Sequence, residues 1–455
     1  MRASRQALRR ASNALAGASS RSGIEREVSP RLLRHHLHDM LYAPRTGYFT
    51  RGTTIPVGTL KRGAIAFTAL TGMDDYFEEL NRRYASLGAQ WLTPGEIFAP
   101  HYAHAVARYV LETHAAGAGH HAHGAGDADV QQEETKPLRV YEIGGGTGTF
   151  ANGFLDYCKE YSPEVYKTMV YTSIDISSSL SEAQRANVKG AGHGPEVHRT
   201  VVGDAANVKS WGSQSDEACF VIALEVLDNL PHDRVWRPKR GVGEWMQTEI
   251  VKDESGALVQ RETPLKDELI KRTLQAIQLT SDLAVEGGAG AYAPPRGLFK
   301  SFVDALTRMA SSGDEAWFVP TGLTALMETL HARRPNHRLV AADFDTLPNV
   351  RIEGVNAPLV ASQRKGGQTD DHNSYILPER VAGSADVFFP TCFDTVRGVD
   401  FATSGTTGHH EHARIGKIMT TKEFMSEYAN CDMTRTKSGY NPLLQDFANT
   451  KFYLS

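Results

Sequence analysis

From residue 138 to residue 224, short apolar runs alternate with stretches whose apolar residues recur at helical spacing. Leu138–Ile143 (LRVYEI), Val170–Ile176 (VYTSIDI), Val197–Val202 and Ala218–Leu224 (ACFVIAL) predict four strands. Phe150–Tyr161 and the segment SSSLSEAQRANV predict helices between them. The run ACFVIAL lacks polar alternation, as expected of a central strand buried on both faces. Further on, Leu323–Ala332 predicts a helix and Arg338–Phe344 a strand. Strands separated by helices imply a parallel sheet with right-handed crossovers. Residues 245–262 break this rhythm. Two β-prone runs there flank Asp253-Glu254-Ser255-Gly256, which predicts a hairpin inserted into the α/β core, within an insertion spanning about residues 236–312.

Three stretches punctuate the pattern. Residues 112–136 are rich in Gly, Ala, His and acids without periodicity and read as a disordered linker. Its His114, His120, His121 and His123 suit adventitious metal contact, but a solvated linker accounts for them and no metal site is expected. Residues 281–297 and 403–414 are similarly soft, and no repeat of fixed period is present.

With 455 residues, 41% of them hydrophobic, the chain can bury a real core, either as two or three domains or as one domain with insertions. Its best apolar run, Phe220–Leu227, falls short of the roughly 18–20 residues a membrane span needs, so no transmembrane segment is expected. Cys158, Cys219, Cys392 and Cys431 are too scattered for a disulfide framework or a zinc ribbon. The net charge of −4 conceals an asymmetry: Arg2, Arg5, Arg9, Arg10 and Arg21 precede the first acid, Glu25, and the other 44 basic residues face 53 acids. An acid-free, Arg- and Ser-rich start predicts a mitochondrial transit peptide over residues 1–24. The acidic remainder argues against direct binding of nucleic acid.

The most informative stretch is Glu142-Ile143-Gly144-Gly145-Gly146-Thr147-Gly148. Glycines between a strand and a helix let backbone approach a ligand. A dinucleotide fingerprint is excluded because Thr149 stands where its last glycine belongs, and no Gly-Lys-Ser/Thr ending makes a P-loop. The pattern Glu-x-Gly-x-Gly-x-Gly resembles motif I of class I S-adenosylmethionine methyltransferases, whose cofactor is cationic and suits the acid Glu142. Asp175 ends the second strand, where a carboxylate can accept both ribose hydroxyls, and Asp204 follows the third, near an expected adenine. After the fourth strand come Glu225 and Asp228, in ALEVLDNLP, at the sheet edge where parallel α/β proteins carry their chemistry. Two carboxylates there can hold a guanidinium and take its proton; alternatively Asp228 caps the turn and Glu225 only touches the cofactor.

The order YEIGGGTGTFANGFLDY, SIDISSSLSEAQ, ALEVLDNLPHDRVW, EWMQTEIV and SADVFFPTCFDTV resembles the MidA-like family of mitochondrial and bacterial methyltransferases. Thr46-Gly47-Tyr48-Phe49 and Thr93-Pro94-Gly95-Glu96-Ile97 fit the same family. The resemblance implies an α/β fold: a seven-stranded, mostly parallel Rossmann-like sheet with an N-terminal helical cap over 25–111, a core over 137–455 and the inserted hairpin. It implies that Gly144, Gly146 and Gly148 cradle S-adenosylmethionine, that Asp175 holds its ribose, and that Thr93, Pro94 and Glu96 close over it. Glu225 and Asp228 would line the methyl end. It further implies a complex I assembly factor of the mitochondrial matrix that methylates arginine on a protein subunit; a homodimer is left open. Departures fall in the later half: Leu224 replaces an Asn, Asp343-Phe344-Asp345 an Asp-Tyr-Gly, and Asp386-Val387-Phe388-Phe389-Pro390-Thr391 an Asp-Leu-Thr-Ala-His-Val. The basic, His-containing stretch is reduced to Gln363-Arg364-Lys365-Gly366. The alternative is a catalytically silent scaffold that kept the cofactor fold.

Overall fold

In the computed structural model, which describes residues 30–52, 56–60, 63–88, 90–119, 136–236, 244–286, 316–364, 368–378, 381, 383–404 and 416–455, the strands gather into three sheets. In chain order they are β1 (Arg31–Leu32), β2 (Arg139–Ile143), β3 (Val170–Asp175), β4 (His198–Val202), β5 (Cys219–Leu224), β6 (Asp233–Trp236), β7 (Met246–Lys252) and β8 (Leu258–Pro264). There follow β9 (Ala316–Val319), β10 (His337–Phe344), β11 (Leu359–Gln363), β12 (Thr369–His372), β13 (Asp386–Phe388), β14 (Lys417–Thr420) and β15 (Thr450–Leu454).

The largest sheet has seven strands in the order β14-β15-β10-β5-β2-β3-β4. From β10 to β4 all neighbours are parallel, whereas β15 runs antiparallel to both β10 and β14. Alternation of side chains explains the unbroken apolar run of β5. Phe220 and Ile222 enter one apolar layer with Val140, Val340 and Phe452; Val221 and Ala223 enter the other with Ile143, Leu339 and Tyr453. The helices His101–Gly119 and Thr149–Tyr161 cover the first face, through Val106, Val110 and Phe154. Thr321–Arg333 and Phe393–Ser404 cover the second, through Leu326, Met327 and Val396. Each such large side chain, fully buried, contributes about 1.5–3 kcal/mol.

The hairpin expected over 245–262 is present as β7 and β8. Asp253 makes its turn: Asp253 Oδ1 accepts from the backbone N–H groups of Ser255 and Ala257 (2.9 and 3.0 Å), and Gly256 supplies the left-handed φ of 84°. The insertion is larger than one hairpin. β7 also pairs β1 and β6, and β6 pairs β9, which makes a second, antiparallel sheet of five strands. The third sheet, β12-β11-β13, is antiparallel as well. The described residues of 25–111 divide between these layers: the helix Leu33–Tyr42 buries Leu33, Leu37 and Leu41 against Ile250, Phe318 and Val387, whereas His101–Gly119 packs on the seven-stranded sheet.

Two boundaries drawn from composition fall inside helices. His101–Gly119 runs past residue 112, and Glu268–Glu286 runs past residue 281. The transit segment, His120, His121, His123 and most of the three soft stretches lie outside the described residues. Among the described residues no helix is long and apolar enough to cross a membrane.

Candidate functional site

A cavity of about 580 Å³ opens at the carboxyl ends of β2, β3, β4 and β5. Its floor is the glycine loop. Gly144, Gly146 and Gly148 have φ of 67°, 55° and 88°, the left-handed region that side chains disfavour. Gly148 ends the loop as the residue before the helix Thr149–Tyr161; a Cβ there would stand 3.1 Å from Gln184 Cα, so glycine permits the close crossing of two helices. Gly148 does not itself line the cavity, whereas Gly144 and Gly146 do. Beneath the loop lies Glu142, whose Oε2 would be 2.5 Å from a Cβ on Gly145. Burial pushes the Glu142 carboxyl up to about 7, against a hydrogen bond donated by Ser173 at 3.2 Å.

Asp175, at the end of β3, also lines the cavity and is also pushed up to about 7 by burial. Its Oδ1 accepts from Ser177 N (2.8 Å) and its Oδ2 from Gln184 Nε2 (3.0 Å), which donates in turn to Gly146 O (2.9 Å). That pair of bonds fixes the carboxylate against the loop and leaves a further lone pair on each oxygen. Asp204 stands after β4 in a turn closed by Ala206 N on Oδ1 (2.8 Å). Burial opposes its ionisation, but hydrogen bonds from His38 and Ala206 hold the carboxyl below its usual range; His38 Nε2 lies 3.6 Å from Asp204 Oδ2.

Thr93 caps the short helix Pro94–Ile97, accepting from Glu96 N at 3.3 Å. Thr93 and Glu96 line the cavity, and Thr147 of the glycine loop donates to Glu96 Oε1 at 3.0 Å. Burial raises the Glu96 carboxyl. Pro94 faces away, into a separate void of about 10 Å³ that it shares with Glu225 and Asp343.

Glu225 follows β5 with φ of 54°, a left-handed backbone on a residue with a full side chain, which is a strained state of the kind retained at working sites. It lines the cavity next to Leu224 and Val226. Asp228 does not. Its side chain is turned inward, 2% exposed, and Asp228 Oδ1 has no hydrogen-bond partner. Burial and the neighbouring acids raise both carboxyls far above the ordinary range: Asp343 acts on Glu225, and Asp343, Asp386 and Glu225 act on Asp228.

The turn carrying these acids is held from afar. Asp343 Oδ2 accepts from the backbone N–H groups of Leu227 (2.8 Å) and Asp228 (3.1 Å). Asn229 Nδ2 donates to Asp386 Oδ1 and to Val387 O, both at 3.0 Å, while Phe389 N donates to Asp228 O at 2.8 Å. Tyr42 O–H donates to Asn229 O at 3.0 Å. Asp343 and Asp386 open the two late segments that depart from the family pattern, so those segments brace the turn. Asp345 takes no part and pairs Lys451 at 2.6 Å instead.

The roof was not legible in the sequence. Arg34, His35, His38 and Tyr42, all on the Leu33–Tyr42 helix, line the cavity together with Phe49. Arg34 anchors that helix through Asp233 (2.6 Å) and Asp267 (2.7 Å). No local spacing marks these residues; only the distant carboxylate partners of Arg34 and His38 do.

Residues 127–411 match the model of the family described as "Putative S-adenosyl-L-methionine-dependent methyltransferase". The Schizosaccharomyces pombe protein named protein arginine methyltransferase NDUFAF7 homolog, mitochondrial, is 24% identical over 248 residues, 52% of this chain and 50% of its own. The chain thus spans about half the length of the curated relative it matches. Among solved structures, a COG1565 superfamily member from Burkholderia thailandensis, described as a "likely methyl transferase" and bound to S-adenosyl-homocysteine, aligns over 98% of this chain and 90% of its own. Its TM-score is 0.52 at 15% identity, and the native form of a Burkholderia thailandensis superfamily protein gives 0.51. These two likenesses show an α/β methyltransferase fold.

Proposed function

Since the chain belongs to the S-adenosyl-L-methionine-dependent methyltransferase family, with that molecule as its cofactor, we propose that it methylates an arginine side chain on a protein of a mitochondrial respiratory assembly. The observation that carries the reading is Glu225, a carboxylate on strained backbone in the wall of the cavity above the glycine loop.

The residues fit the cofactor. The bare glycine face over buried Glu142 leaves room and negative charge for an ammonium group. The spare lone pairs of Asp175 suit a ribose diol, and about 580 Å³ is within the ordinary range of ligand cavities. Gly144, Gly146, Thr93 and Glu96 would enclose it, with Asp204 at the adenine end and Gly148 setting the loop's exit. Bound there, the cofactor supplies an electrophilic methyl group on a cationic sulfur.

Glu225 then has two tasks. Ionised by the cation that enters beside it, it holds the guanidinium by charge-assisted hydrogen bonds, which aims one nitrogen. It also accepts the proton that this nitrogen loses as its bond to carbon forms, a transfer favoured by a carboxyl that prefers to be neutral in its buried setting. Asp228, behind the wall, is a positioning residue: its carbonyl oxygen accepts from Phe389 N and its buried carboxyl packs inside the turn that presents Glu225. The name of the fission-yeast relative, a mitochondrial protein arginine methyltransferase homolog, supports the arginine acceptor and a mitochondrial location, and the arginine-rich start of the chain supports the location.

The test is methyl-labelled S-adenosylmethionine incubated with the full chain and a mitochondrial extract, followed by hydrolysis and residue identification. Wild type is expected to yield methylarginine, and Glu225→Gln to reduce it by about 10²–10⁴-fold with cofactor binding retained. Label on another residue type would overturn the acceptor. Unchanged label in the variant would remove Glu225 from the chemistry, and no label in either would favour a scaffold.

A further inference from the structure

At the opposite end of the sheet from the cavity, three side chains from separate elements converge. His331 is in the last turn of Thr321–Arg333, His337 is the first residue of β10, and Asp400 is in Phe393–Ser404. Their ligating atoms all lie within 4.8 Å of one another, and all three side chains are buried. His331 Nε2 is 2.8 Å from Asp400 Oδ1, and Tyr453 O–H donates to Asp400 Oδ2 at 2.6 Å.

The fourth contact decides what this cluster is for. His337 Nδ1 lies 2.7 Å from the carbonyl oxygen of Arg334, which can only accept, so Nδ1 carries the proton and Nε2 carries a bare lone pair. That Nε2 is buried and has no hydrogen-bond partner. The adjoining His331 ring is 4.8 Å away between centroids. A plain hydrogen-bond network satisfies His331, Asp400 and Tyr453 yet leaves this lone pair unused; a cation among the three uses it.

We propose that His331, His337 and Asp400 form a structural zinc site. Two imidazole nitrogens and one carboxylate oxygen, without thiolates, are a zinc-type donor set, with bonds of about 2.0–2.2 Å and a water in the fourth position of the tetrahedron. The outer contacts are those a metal site uses to orient its ligands: a backbone carbonyl on the far nitrogen of His337 and a tyrosine hydroxyl on the free oxygen of Asp400. The ion ties two helices to the first residue of β10 and, through Tyr453, to β15.

The full chain is loaded with zinc, dialysed and analysed for metal, beside His337→Gln and Asp400→Asn. Wild type should retain about one equivalent more than either variant and gain thermal stability on zinc addition that the variants lack, while all three titrate S-adenosylmethionine alike. Replacing His120, His121, His123, His409, His410 and His412 by alanine should leave that equivalent in place. Equal zinc in wild type and both variants would overturn the site in favour of a bridging water. Should a variant fail to fold, cobalt in the wild-type chain decides: tetrahedral d–d bands are expected, and their absence contradicts the proposal.

Discussion

The glycine loop and the Glu225 turn border one cavity but are built by opposite means. The loop takes most of its supports from neighbouring β–α units: Ser173 on β3, Ser177 just after it and Gln184 on the next helix, with Glu96, 51 residues away, as its farther partner. The turn takes its supports from positions 115, 157 and 187 residues away, through Asp343, Asp386 and Tyr42. A site assembled locally keeps its motif in one stretch of sequence. A site assembled from distant segments spreads its requirements over residues that each look ordinary.

That contrast can be broken by removing one support at a time. Asp343→Ala strips the acceptor from two buried N–H groups, each worth about 1–3 kcal/mol when orphaned. The melting temperature should drop and methyl transfer should be lost, while calorimetric cofactor affinity stays within about twofold, since the loop has its own supports. An equal loss of cofactor affinity would mean that the two halves are one unit. The converse change is Asp175→Asn. It keeps the side-chain shape but removes the charge, and should weaken cofactor binding by about 10–100-fold with little change in melting temperature. A variant that binds as tightly as wild type would detach Asp175 from the ribose.

A smaller effect comes from pH. Burial holds Glu142 and Asp175 at about 7 in the folded, cofactor-free chain, above their values in the unfolded chain. The folded state therefore retains protons that the unfolded state gives up, so stability falls as pH rises from about 4 to about 7 and levels off above that. Glu225 and Asp228 act in the same sense. A bound cation favours the ionised carboxylates, so cofactor affinity should climb by up to about tenfold per pH unit for each linked proton and level off above about 7. Melting curves with and without S-adenosylmethionine across this range measure both trends. Affinity that falls with rising pH would contradict the assigned carboxylates.

What the sequence made legible follows the same division. The unbroken run of β5, the strand–glycine–helix order and the Asp253 turn are local, and each is found where its pattern predicts. Glu142, Asp175 and Asp204 line the cavity because they end or follow strands whose parallel order sets them side by side. Asp228 has the same local signature as Glu225, yet its side chain turns inward; spacing within a turn does not say which carboxylate the backbone faces outward. The roof of Arg34, His38 and Tyr42 depends on one ion-paired helix laid across a sheet whose strands are scattered along the chain. Likewise the antiparallel β15 and the five-stranded second sheet arise from pairings between remote segments, which no periodicity within either segment encodes.

In the proposed function one cavity binds S-adenosylmethionine through the loop and works through the turn. Titration calorimetry of S-adenosylmethionine into wild type, Asp175→Asn and Glu225→Gln tests it most directly. One site per chain is expected, weakened in Asp175→Asn and retained in Glu225→Gln. No binding by wild type, or binding indifferent to Asp175, would contradict it.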